Sequence, residues 1–188
     1  MGKKIVVITG SPRKGGNSFA MTDAFIKAAE EKGHTVTRFD AAQMKIGGCR
    51  ACETCYSTGK ACSFDDDFNE MAPAILDADA VVFSMPVYWY SMPVYWYSMP
   101  AQIKSAIDKM YSFVVGGKDI ADKECALIAC CEEEDMSVLD GVRIPYERTA
   151  ALIKWRSVGE VLIPGVLNPG DIDKTDGLQK AAELAEKF

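Results

Sequence analysis

The chain has 188 residues, 48% of them hydrophobic, and a formal net charge of −6. That length predicts one domain over residues 1–188 with a buried core, and an acidic balance without a basic stripe argues against nucleic acid as a partner. No apolar run approaches the roughly 20 residues of a membrane helix, and Met1-Gly2-Lys3-Lys4 enters a strand pattern without a signal-peptide region, so a cytoplasmic protein with no membrane association is expected. In that reducing compartment seven cysteines do not read as a disulfide framework.

The first strand, Ile5-Val6-Val7-Ile8, breaks into GSPRKGGNS at Gly10 to Ser18. A strand feeding a glycine-rich turn at a helix N-terminus gathers free backbone N–H groups and the positive end of the helix dipole, which suits an anion. The turn has neither the Gly-Lys-Ser/Thr of a P-loop nor the spacing of GxGxxG, so it suits one terminal phosphate. Asn17 and Ser18 can cap the helix and donate side-chain bonds, while Arg13 and Lys14 supply charge. Met21, Phe25, Ala28 and Ala29 then mark a helix ending near Gly33, and His34 to Phe39 reads as a strand. His34, the only histidine, is expected as an exposed loop residue.

Residues 47–65 hold four cysteines without a sustained period, which predicts a long loop. Asp65, Asp66 and Asp67 follow, placed to favour the start of a helix carrying Phe68, Met71, Ala72, Ile75 and Leu76. Ala80 to Ser84 is a buried strand. It opens into SMPVYWY at Ser84 to Tyr90, repeated letter for letter at Ser91 to Tyr97 and followed by a third SMP at Ser98 to Pro100, so residues 84–97 read as one loop carrying an inserted heptad. Ile103, Ile107, Met110 and Tyr111 predict a helix, Cys125 to Cys131 a fourth strand, and Glu132 to Asp135 a loop. A helix around Ala150 and Ile153, a fifth strand at Val161 to Ile163 and a last helix through Leu178, Ala181, Ala182 and Ala185 complete the pattern. Five strands alternating with five helices predict an α/β fold: a doubly wound parallel sheet in the order 2-1-3-4-5 with helices on both faces.

In such a sheet ligands bind beyond the carboxyl ends of the strands, at the switch between strands 1 and 3. That rule brings the Gly10 to Ser18 loop beside Pro86 to Trp89. A phosphate site next to Tyr88 and Trp89, with a third loop after strand 4, suits a planar aromatic group with a phosphate tail, and FMN has that shape. Backbone groups of Pro86 to Trp89 can reach the polar edge of its ring system. Cys130 and Cys131, ending a buried strand, read as packing groups rather than reactive thiols.

Together, GSPRKGGNS after the first strand, the C-x2-C-x2-C-x6-C spacing of Cys49, Cys52, Cys55 and Cys62 with Gly59 before the last, the Asp run, and PVYWYSMPAQIKSAIDK resemble the NADPH-dependent FMN reductase family, and more closely its iron-sulfur flavoprotein branch. The resemblance runs through nearly the whole chain to Gly165. It implies a flavodoxin-like fold, tightly bound FMN, and a homodimer or homotetramer with flavins near subunit interfaces. Ser11, Arg13, Asn17 and Ser18 would hold the phosphate, Pro86, Val87, Tyr88 and Trp89 would meet the flavin ring, and the loop around Cys131 and Glu132 would close the site.

Three readings of the four cysteines stand side by side. Their compact spacing suits a 4Fe-4S cluster, with Cys62 returning after the Ser57-Thr58-Gly59 turn. Structural zinc is the second reading, although zinc sites more often come as two separated pairs. Reduced thiols that only shape the flavin pocket are the third. The expected activity is an FMN-dependent oxidoreductase taking electrons from NAD(P)H and passing them to a small-molecule or protein acceptor. The main rival is an electron carrier exchanging with ferredoxin without hydride transfer, and a third reading is a redox-sensing module without turnover. The heptad departs from the family pattern: Pro86 to Trp89 continues from the strand, whereas Pro93 to Trp96 is tied to the following helix, and only one set can occupy the flavin edge. The first set is expected there. Substituting Tyr88 and Tyr95 separately by Ala and titrating FMN should weaken binding at Tyr88; a loss confined to Tyr95 would reverse the assignment.

Overall fold

The structure, a computed structural model, describes residues 2–88 and 98–188. Trp89 and the second heptad copy, Pro93 to Trp96 included, lie outside the described residues. Strands β1 (Lys4–Thr9), β2 (Thr35–Asp40), β3 (Ala80–Pro86), β4 (Glu124–Cys130) and β5 (Arg156–Ile163) form one sheet in the order β2-β1-β3-β4-β5, every pair parallel. The fold is therefore the flavodoxin-like arrangement expected from the alternation of apolar runs and helical stripes.

The central strands are buried on both sides, which is why they read as continuous apolar runs. Side chains alternate between two cores. Val6, Ile8, Phe83, Met85 and Leu127 face α2 (Phe68–Asp77), α3 (Ala101–Lys109), α4 (Tyr111–Val115) and α5 (Asp140–Leu152). Ile5, Val7, Val82 and Ile128 face α1 (Asn17–Glu31) and α6 (Gly177–Leu184). Cys131 belongs to the first core and Cys130 to the second, so the adjacent thiols point to opposite faces of the sheet.

Two expectations change. The helix expected through Ile103, Ile107, Met110 and Tyr111 is broken at Met110 into α3 and α4, giving six α-helices rather than five among the described residues. The break follows Lys109, whose side chain turns into the protein. The fifth strand begins at Arg156, well before Val161, because its first half is an exposed or half-buried edge segment whose polar residues carry no buried-strand signal. His34 is half-buried rather than exposed, with Nδ1 accepting the Lys3 backbone N–H at 3.0 Å.

The sheet sets the opening loop by a close approach. Gly10 N donates to Ser84 O at 2.9 Å, tying the end of β1 to the end of β3. A Cβ at Gly10 would stand 2.6 Å from Ile103 Cγ1 and 3.0 Å from Pro100 Cγ, so the N-terminus of α3 can pack here only against a glycine. Gly10→Ala should cost about 1–3 kcal/mol by overpacking. Chemical denaturation measures this, and an unchanged midpoint would show that α3 yields instead.

Candidate functional site

The C-terminal ends of β1, β3 and β4 open into a cavity of about 260 Å³. From the first loop it takes Ser11, Arg13, Gly16, Asn17 and Ser18; from the loop after β3, Pro86, Val87 and Tyr88. Cys130, Cys131 and Glu132 contribute from the end of β4. All the described residues expected around a phosphate-tailed aromatic ligand thus line one space; Trp89 lies outside the described residues. Val166, Leu167 and Pro169, from the loop after β5, form a further wall that the sequence did not single out.

At the phosphate end, Gly15 takes a left-handed φ of +81° and Gly16 is the residue before α1. No side chain caps this helix and its first turn holds no acidic residue. The expected capping by Asn17 and Ser18 is therefore corrected: they are the first two helical residues, where backbone N–H groups have no intrahelical acceptor. A side-chain cap would consume the donors that an anion site needs. Asn17 is instead a brace, its Nδ2 donating to Asn168 O at 3.0 Å and its Oδ1 accepting Ile172 N–H at 3.3 Å. It fixes the loop carrying Leu167 and Pro169 to the phosphate loop.

At the aromatic end the backbone donors are already committed. Val87 N–H bonds Cys130 O at 2.9 Å, and Tyr88 and Ser98 exchange both backbone bonds, at 3.0 and 3.1 Å. Pro86 has no N–H, so from Pro86 to Tyr88 no backbone N–H is left for a ligand edge. Burial raises the Tyr88 pKa, with Arg13 opposing it, so the phenol stays neutral. Cys130 is pushed up to about 12, chiefly by burial. Cys131 rises to about 11, by burial and then the Glu133 carboxylate. Both stay protonated at neutral pH, which fits packing groups.

A second cavity, of about 230 Å³, is lined by Cys49, Cys52, Cys55 and Cys62 together with Asp66, Lys109 and Ser112. Its loop is closed at the base by the aspartate run. Asp66 accepts Gly47 N–H at 2.9 Å and Phe68 N–H at 3.0 Å, and Asp67 accepts Lys45 N–H. Of the aspartate run only Asp66 bonds the start of α2, while Asp66 and Asp67 together clamp the two ends of the cysteine loop. Between the clamps Ala51, Glu53 and Tyr56 have left-handed φ of 49°, 56° and 61°, conformations that cost non-glycine residues of order 1–3 kcal/mol each and recur where a loop is shaped around a ligand. Ser112 brings a buried hydroxyl with no partner among the described residues. Lys109 Nζ lies 3.4 Å from Cys62 Sγ and 3.1 Å from Asp66. Burial opposes its charge, but Asp66 and Cys62 outweigh that and hold its pKa above the ordinary lysine value.

No three His, Cys, Asp or Glu side chains among the described residues converge on a single metal position. The four thiols line one cavity, and four thiolates, one per iron, are the donor set a cubane takes. The donor set thus fits a cubane: four thiols, a buried cation and an orphaned hydroxyl on one cavity.

A parallel doubly wound sheet with a phosphate-type loop and an aromatic loop at its switch point defines the flavodoxin-like class. Residues 3–138 match the NADPH-dependent FMN reductase family, and the chain belongs to that family. The chain is also similar to iron-sulfur flavoproteins. It is 36% identical to an iron-sulfur flavoprotein of Archaeoglobus fulgidus over 110 residues, covering 58% of this chain and 46% of that one. The chain therefore spans about half the length of that relative. It is 28% identical to an iron-sulfur flavoprotein of Methanosarcina thermophila over 194 residues, covering 98% and 93%. The NAD(P)H:quinone oxidoreductase of Methanothermobacter marburgensis shares the fold with a TM-score of 0.75 at 18% identity, covering 98% and 95%. No helix among the described residues is long and apolar enough to cross a membrane.

The raised thiol pKa values make a prediction of definite sign. An unfolded Cys130 loses its proton near its ordinary pKa of 9.0, whereas the folded chain keeps it up to about 12. The stability this contributes is full below pH 9 and lost as pH rises toward 12. Denaturant midpoints should fall across that window, and less steeply in Cys130→Ala; equal slopes would place the titration elsewhere.

Proposed function

We propose that the protein is an FMN-dependent NAD(P)H oxidoreductase that passes electrons from a nicotinamide to a small-molecule or protein acceptor. One observation carries this reading: Ser11, Arg13, Asn17, Ser18, Pro86, Val87, Tyr88, Cys131 and Glu132 line a single cavity at the switch point. Bound FMN supplies an acceptor for a hydride and a donor of electrons together or singly. The chain's own part is binding and orientation. The first-turn N–H groups of α1 and the Arg13 guanidinium receive the phosphate, with Ser11 and Ser18 as hydroxyl donors. Asn17 holds the Val166 to Pro169 wall against the same loop, and Tyr88, half-buried, covers the aromatic end. No nucleophile or general base is required, and the protonated Cys130 and Cys131 act as walls.

Cys49, Cys52, Cys55 and Cys62 are proposed to hold a 4Fe-4S cluster, which supplies one-electron transfer when bound. The four thiols on one cavity favour the second reading, an electron carrier exchanging with ferredoxin without hydride transfer. The assembly proposed is a homodimer or homotetramer; Phe64, Tyr111 and Val114, 43%, 42% and 66% exposed, offer apolar surface on and near the cysteine cavity for such a contact.

Protein purified without oxygen and mixed with NADPH or NADH should lose its flavin absorbance rapidly. Bleaching only by reduced ferredoxin would replace the reductase with the carrier, and no flavin spectrum after FMN addition would remove both. Iron and acid-labile sulfide measured on the same sample decide the cluster.

A further inference from the structure

The cysteine cavity contains a cation that four thiolates do not by themselves require. Lys109 closes the last turn of α3 with its side chain 7% exposed, and its partner Asp66 is equally buried at 7%. A buried ammonium is costly unless it is paired and bonded. Asp66 meets that need at 3.1 Å and is itself held by the backbone N–H groups of Gly47 and Phe68, so the pair is fixed between the start of the cysteine loop, the start of α2 and the end of α3. A purely structural pair would end there. Lys109 Nζ also reaches Cys62 Sγ at 3.4 Å, the cysteine that returns after the Gly59 turn, while the backbone N–H of Cys62 is held by Asn69 Oδ1 at 2.7 Å. Cys62 is thus gripped from both its backbone and its sulfur. The unpartnered buried hydroxyl of Ser112 lines the same cavity, so it offers a second donor to whatever the thiols surround.

We propose that Lys109 is a positioning residue that seats Cys62 and sets the reduction potential of the cluster held by Cys49, Cys52, Cys55 and Cys62, with Asp66 as its electrostatic counterweight. This rests on the cluster reading given under the proposed function. Reduction adds one negative charge to the cluster. An N–H donor and positive charge at a ligand sulfur favour that reduced form and raise the potential, whereas the Asp66 carboxylate opposes it. In the native pair the two largely offset each other. Removing Lys109 leaves Asp66 uncompensated; neutralising Asp66 leaves Lys109 uncompensated. The two substitutions must therefore act with opposite signs.

The test is an EPR-monitored redox titration of anaerobically reconstituted protein, comparing wild type with Lys109→Gln, Lys109→Arg, Asp66→Asn and the Lys109→Gln/Asp66→Asn double variant. FMN content and far-UV circular dichroism report whether each variant has folded. Lys109→Gln should lower the equilibrium constant for one-electron reduction about tenfold, about 59 mV for such a couple. Lys109→Arg should stay near wild type, Asp66→Asn should move the potential upward, and the double variant should fall between the single ones. If Lys109→Gln folds with FMN but takes up no cluster while Lys109→Arg does, the seating of Cys62 by a cation is supported directly. Potentials unchanged in Lys109→Gln, shifts of the same sign in both single variants, or loss of cluster in Lys109→Gln and Lys109→Arg alike would overturn the inference and leave the cluster reading standing. Wild-type protein without iron and sulfide after reconstitution would remove the cluster reading and this inference with it.

Discussion

The register between β1 and β3 is the constraint on which the candidate site depends. Thr9 pairs with Ser84 and Gly10 bonds Ser84 O, so both strands release their loops at one level of the sheet. Parallel pairing makes those loops leave in the same direction, and the bare Cα of Gly10 lets α3 approach from the other core. The phosphate-type loop and the Pro-Val-Tyr loop face each other because the sheet offers them no other arrangement. The third and fourth walls follow from the same register, since β4 ends beside β3 and β5 beside β4.

The two cavities prepare for negative charge by different physical means. The switch-point cavity leaves backbone donors free at the start of α1 and adds a surface arginine, so its potential comes mainly from oriented dipoles. The cysteine cavity uses a side-chain cation sunk into the protein and offset by a carboxylate. Oriented dipoles need no counterion and impose little desolvation. A buried ammonium demands a fixed partner, and the loop from Gly47 to Asp67 is organised by that demand.

How much was legible in the sequence follows from which signals are local. The Gly10 to Ser18 turn, the apolar runs of β1, β3 and β4, and the loop after β3 are contiguous features, and each was read at its place. The Val166 to Pro169 wall was not, because nothing in those residues marks a ligand; what joins them to the site is the Asn17 brace, across a separation of 151 positions. The same long-range bonds turned Asn17 from an expected helix cap into a scaffold residue. Lys109 was equally invisible, since a lysine near the end of an amphipathic helix ordinarily belongs to the exposed face, and only Asp66 folding back from the other side of the loop shows why it turns inward. The early start of β5 escaped for the opposite reason: an edge segment needs little apolar character, so its pattern carries no period.

The paired backbone bonds between Tyr88 and Ser98 have a consequence for how this protein tolerates its own sequence. They form an antiparallel bridge, two posts fixed to the sheet on one side and to α3 on the other. Removing one heptad from the chain would leave only Trp89 and Tyr90 between the two posts, a two-residue span whose hairpin turns favour glycine or asparagine over aromatic residues. Closing a longer span between posts already bonded adds only about 0.6 kcal/mol for each doubling of length, by the entropy of loop closure. The bridge ties the end of β3 to the approach to α3 at Tyr88 and Ser98, and the repeated heptad enters the sequence between those two posts.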